Sequence, residues 1–143
     1  MGRVIKFRAQ QFNHGSYGFQ YGSYVTDNKD YHAIIKESKS SPDEMYNISI
    51  NPKTLGQFTG LTDKNGVDIY EGDIVFADGN NSNYTVCYGE YEIPSHYDSS
   101  PHECTGLYLN RHDVGVCEQH ESIGGDCTML KVIGNIYENK DLI

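Results

Sequence analysis

The chain has no tryptophan, only four prolines among 143 residues, and eleven Lys and Arg against twenty Asp and Glu. Each shortage excludes something. Sparse proline with 12% aromatic residues, Tyr alone contributing twelve, argues against disorder over the whole length despite a low mean hydropathy of −0.60. The basic deficit leaves a formal net charge of −9, which repels a polyanion unless the few cations gather on one face. They do not gather in sequence. Arg3, Lys6 and Arg8 are the densest group, and mixed with Ile5 and Phe7 on a strand they read as a solvated edge face.

No apolar run approaches the roughly 18 to 20 residues that span a bilayer. The opening "MGRVIKFRAQ" lacks the apolar centre of a secretory signal, and Lys6 stands where a myristoylation signal wants Ser or Thr. A cytoplasmic chain without a membrane partner is therefore expected. In that reducing compartment Cys87, Cys104, Cys117 and Cys127 are expected as free thiols or metal ligands rather than disulfides. Phosphate loops, dinucleotide-binding glycines and the HExxH pattern are also missing, so no catalytic and no cofactor-binding residue is assigned.

What is present is β composition. A chain of this length buries roughly 70% of its unfolded surface and needs no staples. "RVIKFRA" alternates with Ile5 and Phe7 on one side, and "YGFQYGSYVTD" and "YHAIIKES" follow as strands around the turn Asp27-Asn28-Lys29-Asp30. Ser41, Pro42 and Glu44 have the spacing of a capping box for a short helical turn, after which "YNISI" alternates again up to Asn51-Pro52. The densest stretch is "GQFTGLTDKNGVDIYEGDIV", Gly56 to Val75. Asn65-Gly66 suits the two positive φ angles of a type I′ hairpin, and Glu71-Gly72-Asp73 turns the chain into the strand "IVFA". Asp68 and Asp73 are expected to face solvent.

After the loop "DGNNSN" comes a second hairpin strand, "YTVCYGEYE", whose Tyr84, Tyr88, Tyr91 and Tyr97 either form a recognition platform or pack with wet hydroxyls. Residues 93–126 lack periodicity and read as one long loop. That loop holds the chain's ligand chemistry: His96, His102, Cys104, His112, Cys117, His120 and Cys127. Cys117 and His120, with two residues between them, could share a tetrahedral zinc that Cys104 or His112 and Cys127 complete. A second tight pair is missing, so loop residues without metal are the expectation and a zinc-stabilised loop the alternative. The last strand is expected in "MLKVIGNIYEN", burying Leu130, Val132, Ile133 and Ile136 across a kink at Gly134-Asn135.

Three segments, "IKFRA", "GQFTGLTDKNGVDIYEGDIV" and "VIGNIYENKDLI", closely resemble the signature segments of the YopX family of bacteriophage and prophage proteins. After "FRA" that family usually has an aromatic and an acid, whereas Gln10, Gln11 and Phe12 stand here, so the first turn is expected to differ. The resemblance implies a β-rich phage accessory protein in a bacterial host cell, and it carries no catalytic residue. "YEGDIV" also looks like the first strand of SH3-like barrels, an analogy of fold that assigns no activity. The expected architecture is mainly β: an N-terminal meander lobe over residues 1–55 and a barrel-like lobe over 56–143. The expected function is a non-enzymatic module that binds a host or phage protein, one special case being an inhibitor whose spaced carboxylates mimic nucleic acid. Direct nucleic-acid binding is the alternative, and self-association stays open.

Overall fold

The computed structural model describes residues 2, 4–12, 18–93, 100–112, 120–122 and 127–143. Among these no α-helix forms, and the chain is built from eleven strands and three short 3-10 turns. The protein is mainly β, and its strand pairings are antiparallel. Two compact units divide between Gly60 and Leu61.

In the first unit β1 (Phe7–Gln10), β2 (Phe19–Thr26), β3 (His32–Glu37), β4 (Met45–Ser49) and the larger part of β5 (Gly56–Thr62) lie in the order β4-β3-β2-β1-β5. Side chains set the connections. Asp27 accepts from the N–H groups of Lys29 and Tyr31 at 2.9 and 3.1 Å, and Asn28 takes a positive φ of 60°, which closes the β2–β3 turn. At Ser41 the helical turn suggested by the capping spacing is absent. Glu44 N–H bonds Ser41 carbonyl at 2.9 Å, a tight turn, because Met45 is already extended in β4. Asn51 then caps a 3-10 turn at Pro52–Thr54, and Gln11 bridges Ile50, returning the end of β1 to the end of β4. Ala9, Ile34 and Ile50 form the core, with Phe7, Tyr24 and Leu55 against them.

The basic residues of β1 depart from expectation. The strand starts at Phe7, so Ile5 stays 64% exposed, while Arg8 is only 6% exposed, its guanidinium 4.6 Å from the Phe19 ring centre. Lys6 Nζ lies 4.4 Å over Phe58. Both cations cover aromatic faces instead of forming a solvated edge, burying their stems and gaining cation–π attraction.

The second unit contains β6 (Asp68–Tyr70), β7 (Asp73–Ala77), β8 (Ser82–Ile93), β9 (His102–Arg111), β10 (His120–Ser122) and β11 (Leu130–Asn135). Its main sheet runs β10-β9-β8-β7-β11, an order that does not close on itself among the described residues. Ile69, Val75, Tyr84, Val86, Leu109, Cys127 and Leu130 make its core. In β11 the register with β7 shifts between Val132 and Gly134, the expected kink, and Leu130 is buried whereas Val132, Ile133 and Ile136 are half-buried. The long loop read over 93–126 is corrected: it contains β9 and β10. Outward-facing polar side chains and Thr105-Gly106 obscure the alternation of β9, and ten cross-strand partners on β8 supply its order.

The hairpin at Asp63 also differs in type. Gly66 has φ of 78°, but Asn65 is not among the residues with positive φ, and Asp63 N–H bonds Val67 carbonyl at 2.8 Å. This is a three-residue loop with glycine in the left-handed conformation, not a type I′ pair. Gly72, at φ of 82°, is more constrained, since a Cβ there would come 3.3 Å from the Tyr137 ring. Gly66→Val, with open space around it, should cost about 1–2 kcal/mol from backbone strain. Gly72→Val should cost more, because strain and contact add. Equal chemical-denaturation midpoints for the two variants would contradict this ranking.

Candidate functional site

The Gly56–Val75 stretch is rich in acids, and the structure turns those acids inward. Asp63 is only 5% exposed. Its Oδ1 accepts from the N–H groups of Asn65 and Val67 at 2.8 and 3.0 Å, and its Oδ2 accepts from Val132 N–H at 2.9 Å. One carboxylate thus closes the hairpin loop and ties it to β11. Burial pushes the Asp63 carboxyl up, but the N–H groups of Val132, Val67 and Asn65, with the charge of Lys131, outweigh it and hold the group below 3.8.

Asp73 is 1% exposed and its Oδ2 accepts from Tyr70 N–H at 2.8 Å; Asp68 is half-buried. The expectation that Asp73 faces solvent is therefore corrected, since this strand-starting acid serves a backbone donor of the turn, while Asp68 keeps part of its exposure. Gly72 donates to Val86 carbonyl at 2.8 Å and accepts from Ile136 N–H at 3.0 Å. Asn135 Oδ1 takes the N–H groups of Tyr137 and Glu138, each at 3.0 Å. The two recognised segments, around Asp63 and around Asn135, are therefore joined by backbone bonds and act as scaffold.

The His and Cys cluster disperses. Cys117 and His96 lie outside the described residues. Cys104 sits on β9 opposite Tyr91, the backbone of His120 pairs with Asn110, and Cys127 is buried in the apolar core. His112 Nε2 lies 2.5 Å from Thr85 Oγ1. Among the described residues no three His, Cys, Asp or Glu gather in a way that could hold a metal. Cys87, Cys104 and Cys127 are not joined in disulfides.

The tyrosines separate too. Tyr84 is fully buried and its hydroxyl accepts from Asn80, so it belongs to the core rather than to a platform. Tyr91 stacks on Tyr108 with ring centres 4.9 Å apart, and Tyr88 is 65% exposed. Tyr97 lies outside the described residues. The split follows the path of β8 and β9. These strands pair from Tyr84↔Arg111 to Ile93↔His102, but β7 accompanies β8 only over Ser82–Thr85 and β10 accompanies β9 only over Tyr108–Asn110. Beyond that, among the described residues, Tyr88–Ile93 and His102–Leu107 run on as a two-stranded ribbon.

Alternation gives the ribbon two unlike faces. One carries Tyr91 and Tyr108 with Cys104, all half-buried. The other carries Tyr88, Glu90 and Glu92 opposite Leu107, Thr105 and Glu103, all exposed except the half-buried Leu107. Sequence reading found Tyr88 but missed what β9 contributes, because the alternation of Glu103, Thr105 and Leu107 becomes a signal only once β8 is set beside it. This exposed face is the candidate functional site.

A family model described as YopX protein matches residues 6–143. No curated protein matches the chain. Three solved chains do, among them the crystal structure of protein EF1440 from Enterococcus faecalis, at 22% identity over 99% of each chain with a TM-score of 0.43.

The Asp63 network makes stability depend on acid. Its folded-state value lies below the unfolded one, so its contribution is complete above about pH 4 and is lost as pH falls through the folded value. Asp63→Asn should cost about 2–4 kcal/mol at pH 7, the scale of losing charged hydrogen bonds to buried N–H groups. The gap between wild type and variant should narrow at pH 2.5. Denaturant titrations at both pH values check it, and a gap of the same size at each would contradict the assignment.

Proposed function

This chain belongs to the YopX protein family, and from that premise we propose that it is a non-enzymatic protein-interaction module which presents the exposed face of the β8–β9 ribbon to a partner protein. The observation that carries the reading is Tyr88, a large aromatic side chain left 65% exposed on a ribbon that, among the described residues, runs past the pairings of its neighbouring strands. A two-stranded ribbon is marginal by itself in water, and its exposed amphipathic ring gains from contact with another protein. Tyr is enriched where protein interfaces concentrate their energy. The acids that could have suggested catalysis are committed to backbone donors at Asp63 and Asp73.

A phage or prophage accessory role in the cytoplasm of a bacterial host fits the family resemblance. Nucleic acid is the weaker partner, because no Lys or Arg stands between Lys64 and Arg111, the segment that contains the whole ribbon. The test is capture of the tagged protein from infected or lysogenic cells. A protein retained by wild type should fall about tenfold with Tyr88→Ala at unchanged melting temperature, the loss typical of an interface anchor. Equal retention by the variant, or recovery of nucleic acid in place of protein, would contradict the proposal.

A further inference from the structure

The chemistry of the ribbon's partner is legible in the charges of its exposed face. Glu92 lies directly across from Glu103, with Glu90 one alternate position along β8. All three are exposed. Like charges set opposite each other on a sheet destabilise the pair, so the ribbon holds this arrangement at a cost to its own stability. The neighbouring sequence is anionic too. Between Lys64 and Arg111 the chain has eight Asp and Glu and no Lys or Arg. Tyr88 and Leu107 sit across from each other at the inner end of the same face. The face is thus apolar and aromatic at its base and anionic toward its tip.

Resting on the interaction reading above, we infer that the occupant of this sheet face is a Lys- or Arg-bearing segment of another protein. Its cations sit between Glu90, Glu92 and Glu103, and an apolar or aromatic side chain meets Tyr88 and Leu107. A cation placed between Glu92 and Glu103 removes the repulsion that the free ribbon carries, so binding and ribbon stability are coupled. Charge complementarity selects this occupant over a second copy of the chain, which would bring the same carboxylates against these. It also selects against nucleic acid.

The experiment uses a fluorescein-labelled decapeptide of alternating Lys and Ser, with a Glu-Ser decapeptide as control, followed by fluorescence anisotropy on the full chain at low and high salt. The wild type should bind the Lys peptide in a salt-sensitive way and ignore the Glu peptide. The triple variant Glu90→Gln, Glu92→Gln, Glu103→Gln should weaken it on the order of tenfold, each exposed charge contact being modest alone. A second triple, Asp30→Asn, Asp43→Asn, Glu44→Gln, changes net charge equally at exposed positions of the first unit and should leave binding near wild type. Glu103→Gln alone should weaken binding while its melting temperature stays equal or rises, which a purely structural role would not produce. No binding by wild type, or equal losses in the two triples, overturns the inference. If capture from cells depends on Tyr88 but survives the ribbon triple, the interaction reading stands and the cationic partner falls.

Discussion

A carboxylate taken out of water costs several kcal/mol unless donors replace its hydration. Asp63 receives three, and the residues that supply them, Asn65, Val67 and Val132, are not local to one element. Two close its own loop; the third comes from 69 positions away. Satisfying this one buried charge fixes the loop's conformation, the position of β11 beside it, and the kinked register of β11 on β7. Lys64 adds a backbone bond to Leu130 at 3.0 Å, and Gly72 links Val86 to Ile136 in the same way. The core side chains Ile69, Val75, Leu130 and Tyr84 then have a frame to fill.

The consequence for function is a division among the acids. Those near the turns, Asp63 and Asp73, are spent on backbone N–H groups and are 5% and 1% exposed. Those on the ribbon are solvated and stand beside an exposed tyrosine. A buried acid whose oxygens accept from amides has little freedom for proton transfer, whereas a solvated row of acids on a strand can meet a complementary surface. The stretch that looks most elaborate in sequence is therefore tied into the fold by its buried acids, and the exposed acids lie on the plainer segment after it.

Much of this is legible in the amino-acid sequence. Alternation located β1 and β4, β-branched and aromatic composition between turn signals located β2, β3 and β8, and the glycine turn before it located β7. The turn at Glu71-Gly72-Asp73 was legible because few residues other than glycine accept a φ of 82°. The Asn65-Gly66 turn was placed correctly but given the wrong form, since a side chain, Asp63, and not the central pair sets the loop. Arg8 was misread because charge at an alternate strand position suggests solvent, and only the fold reveals Phe19 beside it. β9 was invisible: its order comes from pairing with β8, a non-local interaction that single-strand periodicity cannot report. Cys127 was set with possible ligands by spacing, although the apolar core around it decides its environment.

Asp63 locks the scaffold, while the ribbon stands apart from it energetically. Native-state hydrogen exchange measures both at once. The amides of Val67 and Val132, which donate to Asp63, should exchange only with global unfolding of the second unit. The paired amides of Tyr88–Ile93 and His102–Leu107 should open at distinctly lower free energy, as an unsupported ribbon does. Rapid exchange at Val67 and Val132, or protection of the ribbon equal to theirs in the isolated protein, would contradict it.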